Sequence, residues 1–171
     1  MTATTQLSLP DRRGLQSPFA ALHHVALVTN DMAATVAFYR DVLGSEVAMA
    51  HRQGPDDVRH YFITVAPNTV FAFFEFPDSE QPEHLYATHP KSGRHLDHIC
   101  MLVNTPEEWQ AWKDRITAAG VPVQEAGEGR KSFFFPDPNN IVIEVSYGGG
   151  ITSMPFPMHD DPDPAYEPPT G

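Results

Sequence analysis

Cysteine is almost missing from this chain of 171 residues. Cys100 stands alone, so no internal disulfide can form, and a reducing compartment is expected. Basic residues are scarce as well. The 11 Lys and Arg face 22 Asp and Glu, for a formal net charge of −11. Nucleic acid and anionic membrane both reward a basic face, so that balance argues against either as a partner. Long apolar runs are absent too. The strongest, residues 70–74, is far too short to span a bilayer, and the first twenty residues hold no run of signal-peptide length. A cytoplasmic protein is expected.

What is present suffices for a core. Hydrophobic residues make up 41% and aromatics 11%, and a chain of this length buries roughly 70% of its unfolded surface without staples. Three regions differ in composition. Residues 1–20 are polar and irregular. Residues 21–147 carry nearly all the periodic apolar sequence and form one domain. Residues 148–171 are rich in Pro and acidic residues, with no Lys or Arg. Such a tail is expected to form no regular element of its own: it reads as a disordered tail or as an extended arm, for which Phe156, Met158 and Tyr166 offer anchors.

The middle region repeats itself. Residues 22–28 alternate as a strand and lead into Asn30-Asp31, a helix N-cap signal. Val36, Tyr39 and Leu43 then recur at helical spacing until Gly44 stops the helix. The second copy starts with an apolar strand at 96–103. Thr105-Pro106-Glu107-Glu108 follows, a capping box with proline at the first helical position. Trp109, Trp112, Ile116 and Ala119 form that helix's apolar stripe, and Gly120 ends it. His24 and His98 are 74 apart, as are Phe38 and Trp112, whereas Gly44 and Gly120 are 76 apart. The second helix is therefore expected to run two residues longer. Three strand-like runs follow each helix: 46–51, 58–65 and 69–76 in the first half, 121–125, 131–136 and 140–147 in the second. The expected fold is α+β: two paired βαβββ modules, 21–76 and 95–147, joined by a linker at 77–94, with a curved sheet. Asn140, in the turn 137–140, tolerates a positive φ.

Polar residues sit at matching places in the two halves. His24 shares a strand face with Leu22, Ala26 and Val28, and His98 shares one with Leu96, Cys100 and Leu102. Glu144 lies inside the last strand between Ile143 and Val145. Glu75, 69 residues earlier between Phe74 and Phe76, is taken as its counterpart. A carboxylate within an apolar strand is costly unless compensated. Two imidazoles with one or two carboxylates form a divalent-metal set, and two His with one carboxylate and open positions is the pattern of non-haem Fe(II). Taken singly, a strand histidine is more often a hydrogen-bonded core residue; the repeated pairing is what favours a site. His60 and Tyr61 are the candidate acid/base groups, although strand alternation lets only one of them face the site. His51, His84, His89 and His159 read as surface residues. His23 is out of phase with His24 and should face away. Cys100 reads as a small buried apolar residue.

His24-Val25-Ala26-Leu27-Val28, then Asp31 and Ala37-Phe38-Tyr39-Arg40-Asp41-Val42-Leu43-Gly44, resembles the opening module of the vicinal oxygen chelate superfamily. That superfamily holds glyoxalase I, extradiol dioxygenases, fosfomycin and bleomycin resistance proteins, and epimerases. Phe134-Phe135-Pro136-Asp137-Pro138-Asn139-Asn140, leading to Ile143-Glu144-Val145, resembles its closing segment, with Asn140 in place of the usual turn glycine. The resemblance covers about 21–147. It implies modules forming a curved mixed sheet cup around one divalent metal, with His24, His98 and Glu144 as ligands. Glu75 matches the fourth ligand of glyoxalase-like members, whereas extradiol enzymes use three. Extradiol members commonly carry a tyrosine about ten residues before the carboxylate ligand; Phe134 occupies that place here.

Three functions follow as expectations. The first is an extradiol-type dioxygenase with Fe(II), acting on a catechol-like or other small molecule with adjacent oxygens. The second is a glyoxalase-type lyase or isomerase with a His/Glu/His/Glu site and Ni or Zn; Mn is a further possible metal for the site. The third is a resistance-type binding protein, which commonly lacks the metal ligands. A homodimer is expected, and the sequence leaves open whether the site lies within one chain or between two.

Overall fold

The computed structural model describes residues 22–81, 96–127, 131–148 and 165. The segment 1–20, most of the linker and nearly all of the Pro-rich tail lie outside the described residues. So do His84, His89 and His159, and the proposed anchors Phe156, Met158 and Tyr166.

The first module runs β1 (His24–Thr29), α1 (Met32–Ala37), a π-helical continuation (Phe38–Val42), β2 (Glu46–Gln53), β3 (Val58–Ala66) and β4 (Thr69–Glu75). The second runs β5 (His98–Val103), α2 (Pro106–Ala118), β6 (Gln124–Glu125), β7 (Ser132–Pro136) and β8 (Val142–Tyr147). The βαβββ repeat is thus observed. The 13 residues of α2 exceed by two the six of α1 and five of its continuation. The sheets are mixed: β1 pairs parallel with β4, and β5 with β8, while the remaining pairs are antiparallel. There are two open four-stranded sheets, ordered β1-β4-β3-β2 and β5-β8-β7-β6.

Local chemistry sets the element ends. Asp31 caps α1 by accepting a hydrogen bond from the Ala34 N–H at 2.9 Å. Thr105 and Glu108 form the capping box of α2 in full. Gly44 and Gly120, at φ of 69° and 77°, end the two helices in the left-handed region. Asn140 adopts φ 57°, as its turn demands of the residue replacing glycine.

Alternation along the strands gives each sheet two different faces. One face of the first sheet carries Leu27, Phe71, Phe73 and Ile63; one face of the second carries Phe133, Phe135, Ile143 and Val145. These residues, with Met32, Phe38, Tyr39 and Ile116 of the helices, form one buried cluster. The modules therefore share a core through their helix-covered faces. An apolar cleft of about 160 Å³ between them, lined by Tyr39, Phe71, Trp112 and Phe135 among others, belongs to that core side.

Candidate metal centre

The opposite faces carry the histidines. In the second sheet, His98, Cys100 and Leu102 of β5 pair with Val142, Glu144 and Ser146 of β8, and Phe134 of β7 pairs with Glu144. Odd and even positions along each strand separate this set from the core set. His98 Nε2 lies 2.9 Å from Glu144 Oε2, and the His98 ring stands edge-on to Phe134 at 5.5 Å. Glu144 is 8% exposed. Asp97 Oδ1 meets His98 Nδ1 at 2.6 Å, which fixes the ring and turns Nε2 to the carboxylate.

In the first sheet, His24, Ala26 and Val28 of β1 pair with Val70, Ala72 and Phe74 of β4. His24 is exposed, and its Nδ1 lies 2.8 Å from His23 Nδ1, one proton lying between them. The expectation that His23 faces away is corrected: the residue precedes β1, outside the strand's alternation, and its ring turns back. His24 keeps Nε2 for a further partner.

Glu75 does not match Glu144. It pairs with Thr29, on the core side of β1, while the residue across from Ala26 is Ala72. In the second sheet Glu144 stands across from Cys100, two residues beyond His98. The counterpart of Glu144 is therefore Ala72. Glu75 has other work: its carboxylate accepts hydrogen bonds from Arg59 at 3.0 and 3.1 Å and from the Met32 N–H at 2.8 Å. Arg59 and the N-terminal turn of α1 compensate the charge that an apolar strand would otherwise exclude.

The candidate acid/base pair divides in the same way. Tyr61 packs against the core and leaves the site face, contrary to its assigned role. His60 sits on the His24 face, stacked on Phe74 at 3.7 Å and tilted against Phe62 at 4.4 Å, with Phe62 edge-on to His24 at 6.0 Å. His51, expected at the surface, is half-buried beside His60 with ring centroids 5.0 Å apart. Its signal was the phase of Met49, His51 and Gln53 along β2. Cys100, expected to be buried, is exposed. Its thiol is nonetheless partly desolvated on the side of Glu144, and that desolvation together with the carboxylate pushes its pKa up to about 12, so little thiolate forms at neutral pH.

The donor set fits a divalent transition metal, with two imidazoles and one carboxylate on strands of equivalent place. One chain does not gather them. Among the described residues, no three His, Cys, Asp or Glu side chains lie close enough to hold a metal ion. His24 belongs to one sheet and the His98–Glu144 pair to the other, on faces turned away from the shared core. Apolar residues lie open beside the donors: Val28 is 44% and Leu102 53% exposed. No helix among the described residues is long and apolar enough to cross a membrane.

Residues 21–145 match the family model described as the glyoxalase/bleomycin resistance protein/dioxygenase superfamily. The chain is 31% identical over 107 residues to an ethylmalonyl-CoA/methylmalonyl-CoA epimerase of Cereibacter sphaeroides, covering 63% of this chain and 76% of the epimerase. It is 27% identical over 139 residues to a manganese-dependent 2,3-dihydroxybiphenyl 1,2-dioxygenase of Geobacillus genomosp. 3, covering 78% of this chain but 38% of the dioxygenase. Its fold is similar to that of the fosfomycin resistance protein FosX of Listeria monocytogenes, solved with Mn(II) and 1S,2S-dihydroxypropylphosphonic acid. The TM-score is 0.61 at 21% identity, over 77% of this chain and 94% of that one. With its motifs, its paired modules and a family match across most of its length, the chain belongs to the glyoxalase/bleomycin resistance protein/dioxygenase superfamily, the vicinal oxygen chelate proteins.

Proposed function

We propose that this protein is an extradiol-type ring-cleaving dioxygenase that uses Fe(II) held by His24, His98 and Glu144. Its substrate class is a small aromatic molecule with two adjacent hydroxyls. The observation that carries this reading is the diversion of Glu75 to Arg59 and α1, with Ala72 in the equivalent place, which leaves a three-ligand set. Bound to two imidazoles and one carboxylate, the ion supplies adjacent open positions for two substrate oxygens and, as Fe(II), activation of O₂.

The chain's own residues do the rest. Asp97 and Phe134 hold His98 with Nε2 toward Glu144. Phe62 and Phe74 offer aromatic surface on the His24 face, while Phe134 lies buried edge-on against the His98 ring. Both atoms of O₂ enter the product, so no outside reductant is required. The active form on this reading is a homodimer. His24 of one copy meets His98 and Glu144 of a second, and the apolar residues beside them, Val28 and Leu102, are covered in the process.

A second reading, a proton-moving epimerase or lyase, draws on the 31% identity to the epimerase. The fourth carboxylate assigned to it is engaged elsewhere, which weighs against it. The test is to purify the protein without air, count metal per chain, and supply catechols with O₂. About one iron per chain and one O₂ consumed per ring opened supports the proposal. Bound metal with proton exchange at carbon in heavy water, but no O₂ uptake, replaces it with the second reading. Bound metal with neither reaction leaves a small-molecule binding protein.

A further inference from the structure

The cleft of about 160 Å³ between the modules is walled by Tyr39, Val65 and Phe71 from the first and by Val103, Trp112 and Phe135 from the second, among others. A cavity of about 150 Å³ with apolar walls stays dry and takes one benzene-sized ring, because water needs several polar partners. The chain itself brings such a ring close. Val145 of β8 lines the cleft, and Tyr147, two residues on, pairs with the lining residue Val103. Beyond Gly148 the sequence runs on to Met154-Pro155-Phe156-Pro157-Met158. Phe156 lies eight residues past Gly148, a length that reaches at most about 26–29 Å when extended. Proline at 155 and at 157 narrows the conformations open to residue 156, so seating its ring costs less entropy than in an unrestricted chain. Charge points the same way. The Arg115 guanidinium lies over the Trp112 ring at 5.4 Å and donates to the Asp41 carbonyl oxygen at 3.3 Å, beside the lining residues Leu43 and Ser45. Asp160, Asp161 and Asp163 follow Phe156 closely, so a ring in the cleft brings carboxylates within reach of that cation.

We propose that the Pro-rich segment after Gly148 is an arm that docks on the joint between the two modules of its own chain, with the Phe156 ring filling the cleft and the acids beyond it facing Arg115. The ring then touches both modules at once and adds apolar contact where they share a core. The arm acts as a strap that restrains the sheet of His24 relative to the sheet of His98 and Glu144. This docking does not depend on the metal reading.

The test uses the full chain, free of metal, with Phe156 replaced by the photo-crosslinker p-benzoylphenylalanine. Irradiation should join it to peptides of the same chain that hold Met101 and Trp112, or Leu43 and Ser45, as read by mass spectrometry. Beside it, Phe156→Ala should lower Tm by about 3–6 °C, because a ring leaves the cleft, while Ser153→Ala leaves Tm unchanged. Adducts between two chains assign the cleft to the arm of a second copy and overturn docking within one chain. Adducts that map elsewhere, or an unchanged Tm in Phe156→Ala, overturn the cleft as the seat of the arm.

Discussion

The Tyr39 hydroxyl donates a 3.0 Å hydrogen bond to Asp137 Oδ2, joining the helix of the first module to the β7–β8 turn of the second across 98 residues. The same carboxylate accepts from the N–H groups of Asn139 and Ile141, at 2.8 and 2.9 Å, and from Asn139 Nδ2 at 3.1 Å. Asn139 Nδ2 also reaches Thr35 Oγ1 at 3.1 Å. The two sequence signatures of the family thus meet in a buried polar latch, away from the proposed metal ligands. Burial first, and Asp137 second, push the Tyr39 pKa well above 10.0, so the phenol stays a donor.

Removing the latch should destabilise the protein rather than alter its chemistry. Asp137→Ala leaves Tyr39, Asn139 and Ile141 without their acceptor, in a site where Asp137 is 3% exposed. A loss of about 3 kcal/mol is expected in denaturant unfolding. A loss below about 1 kcal/mol would contradict the latch.

Asp137 also gives a signed pH dependence. Burial, opposed by its hydrogen bonds, raises its pKa above 3.8 in the folded state. The folded protein holds that proton more tightly than the unfolded chain. The stability it contributes is fully present below 3.8 and lost as pH rises through the folded pKa. Unfolding free energy of wild type minus that of Asp137→Asn should therefore fall with rising pH over that window, then level off. A difference that rises instead would contradict the shift.

Glu75→Gln tests the ligand count. The variant should keep its full metal content and lose about 1–2 kcal/mol of stability, because Arg59 and the Met32 N–H lose a charged acceptor. Metal analysis beside thermal unfolding checks both. Loss of metal from a folded variant would return Glu75 to the ligand set.

Cys100 should alkylate slowly in the metal-free protein at neutral pH despite its exposure, because its thiol is pushed up to about 12. Glu144→Gln removes one of the causes and should speed the reaction. Equal rates in the two proteins would contradict the contact.

Much of the fold was legible because its signals are local. The caps at Asp31 and Thr105, the glycine stops and the strand alternation each act within a few residues. The repeat of His24 and His98 was legible for the same reason. The place of Glu75 was not, because register between β1 and β4 is set by pairing rather than by distance along the chain: His24 pairs with Val70, so Ala72 falls across from Ala26. Nor was the compensation of Glu75, since Arg59 and the start of α1 come near only in the folded sheet. His51 and Gln53 meet His60 only through the pairing of β2 with β3, a relation that β2 alone does not contain. Tyr61 illustrates the converse, as alternation allowed one of His60 and Tyr61 at the site and pairing chose the histidine.

The shared three-ligand site is most directly tested by mixing His24→Ala with His98→Ala. Each variant alone should bind no metal. After subunit exchange, half of the dimers are mixed and carry one intact site of two, so metal content should recover to about a quarter of wild type. No recovery from folded dimers that exchange subunits, or full binding by either variant alone, would contradict a centre built from His24 of one copy and His98 and Glu144 of another.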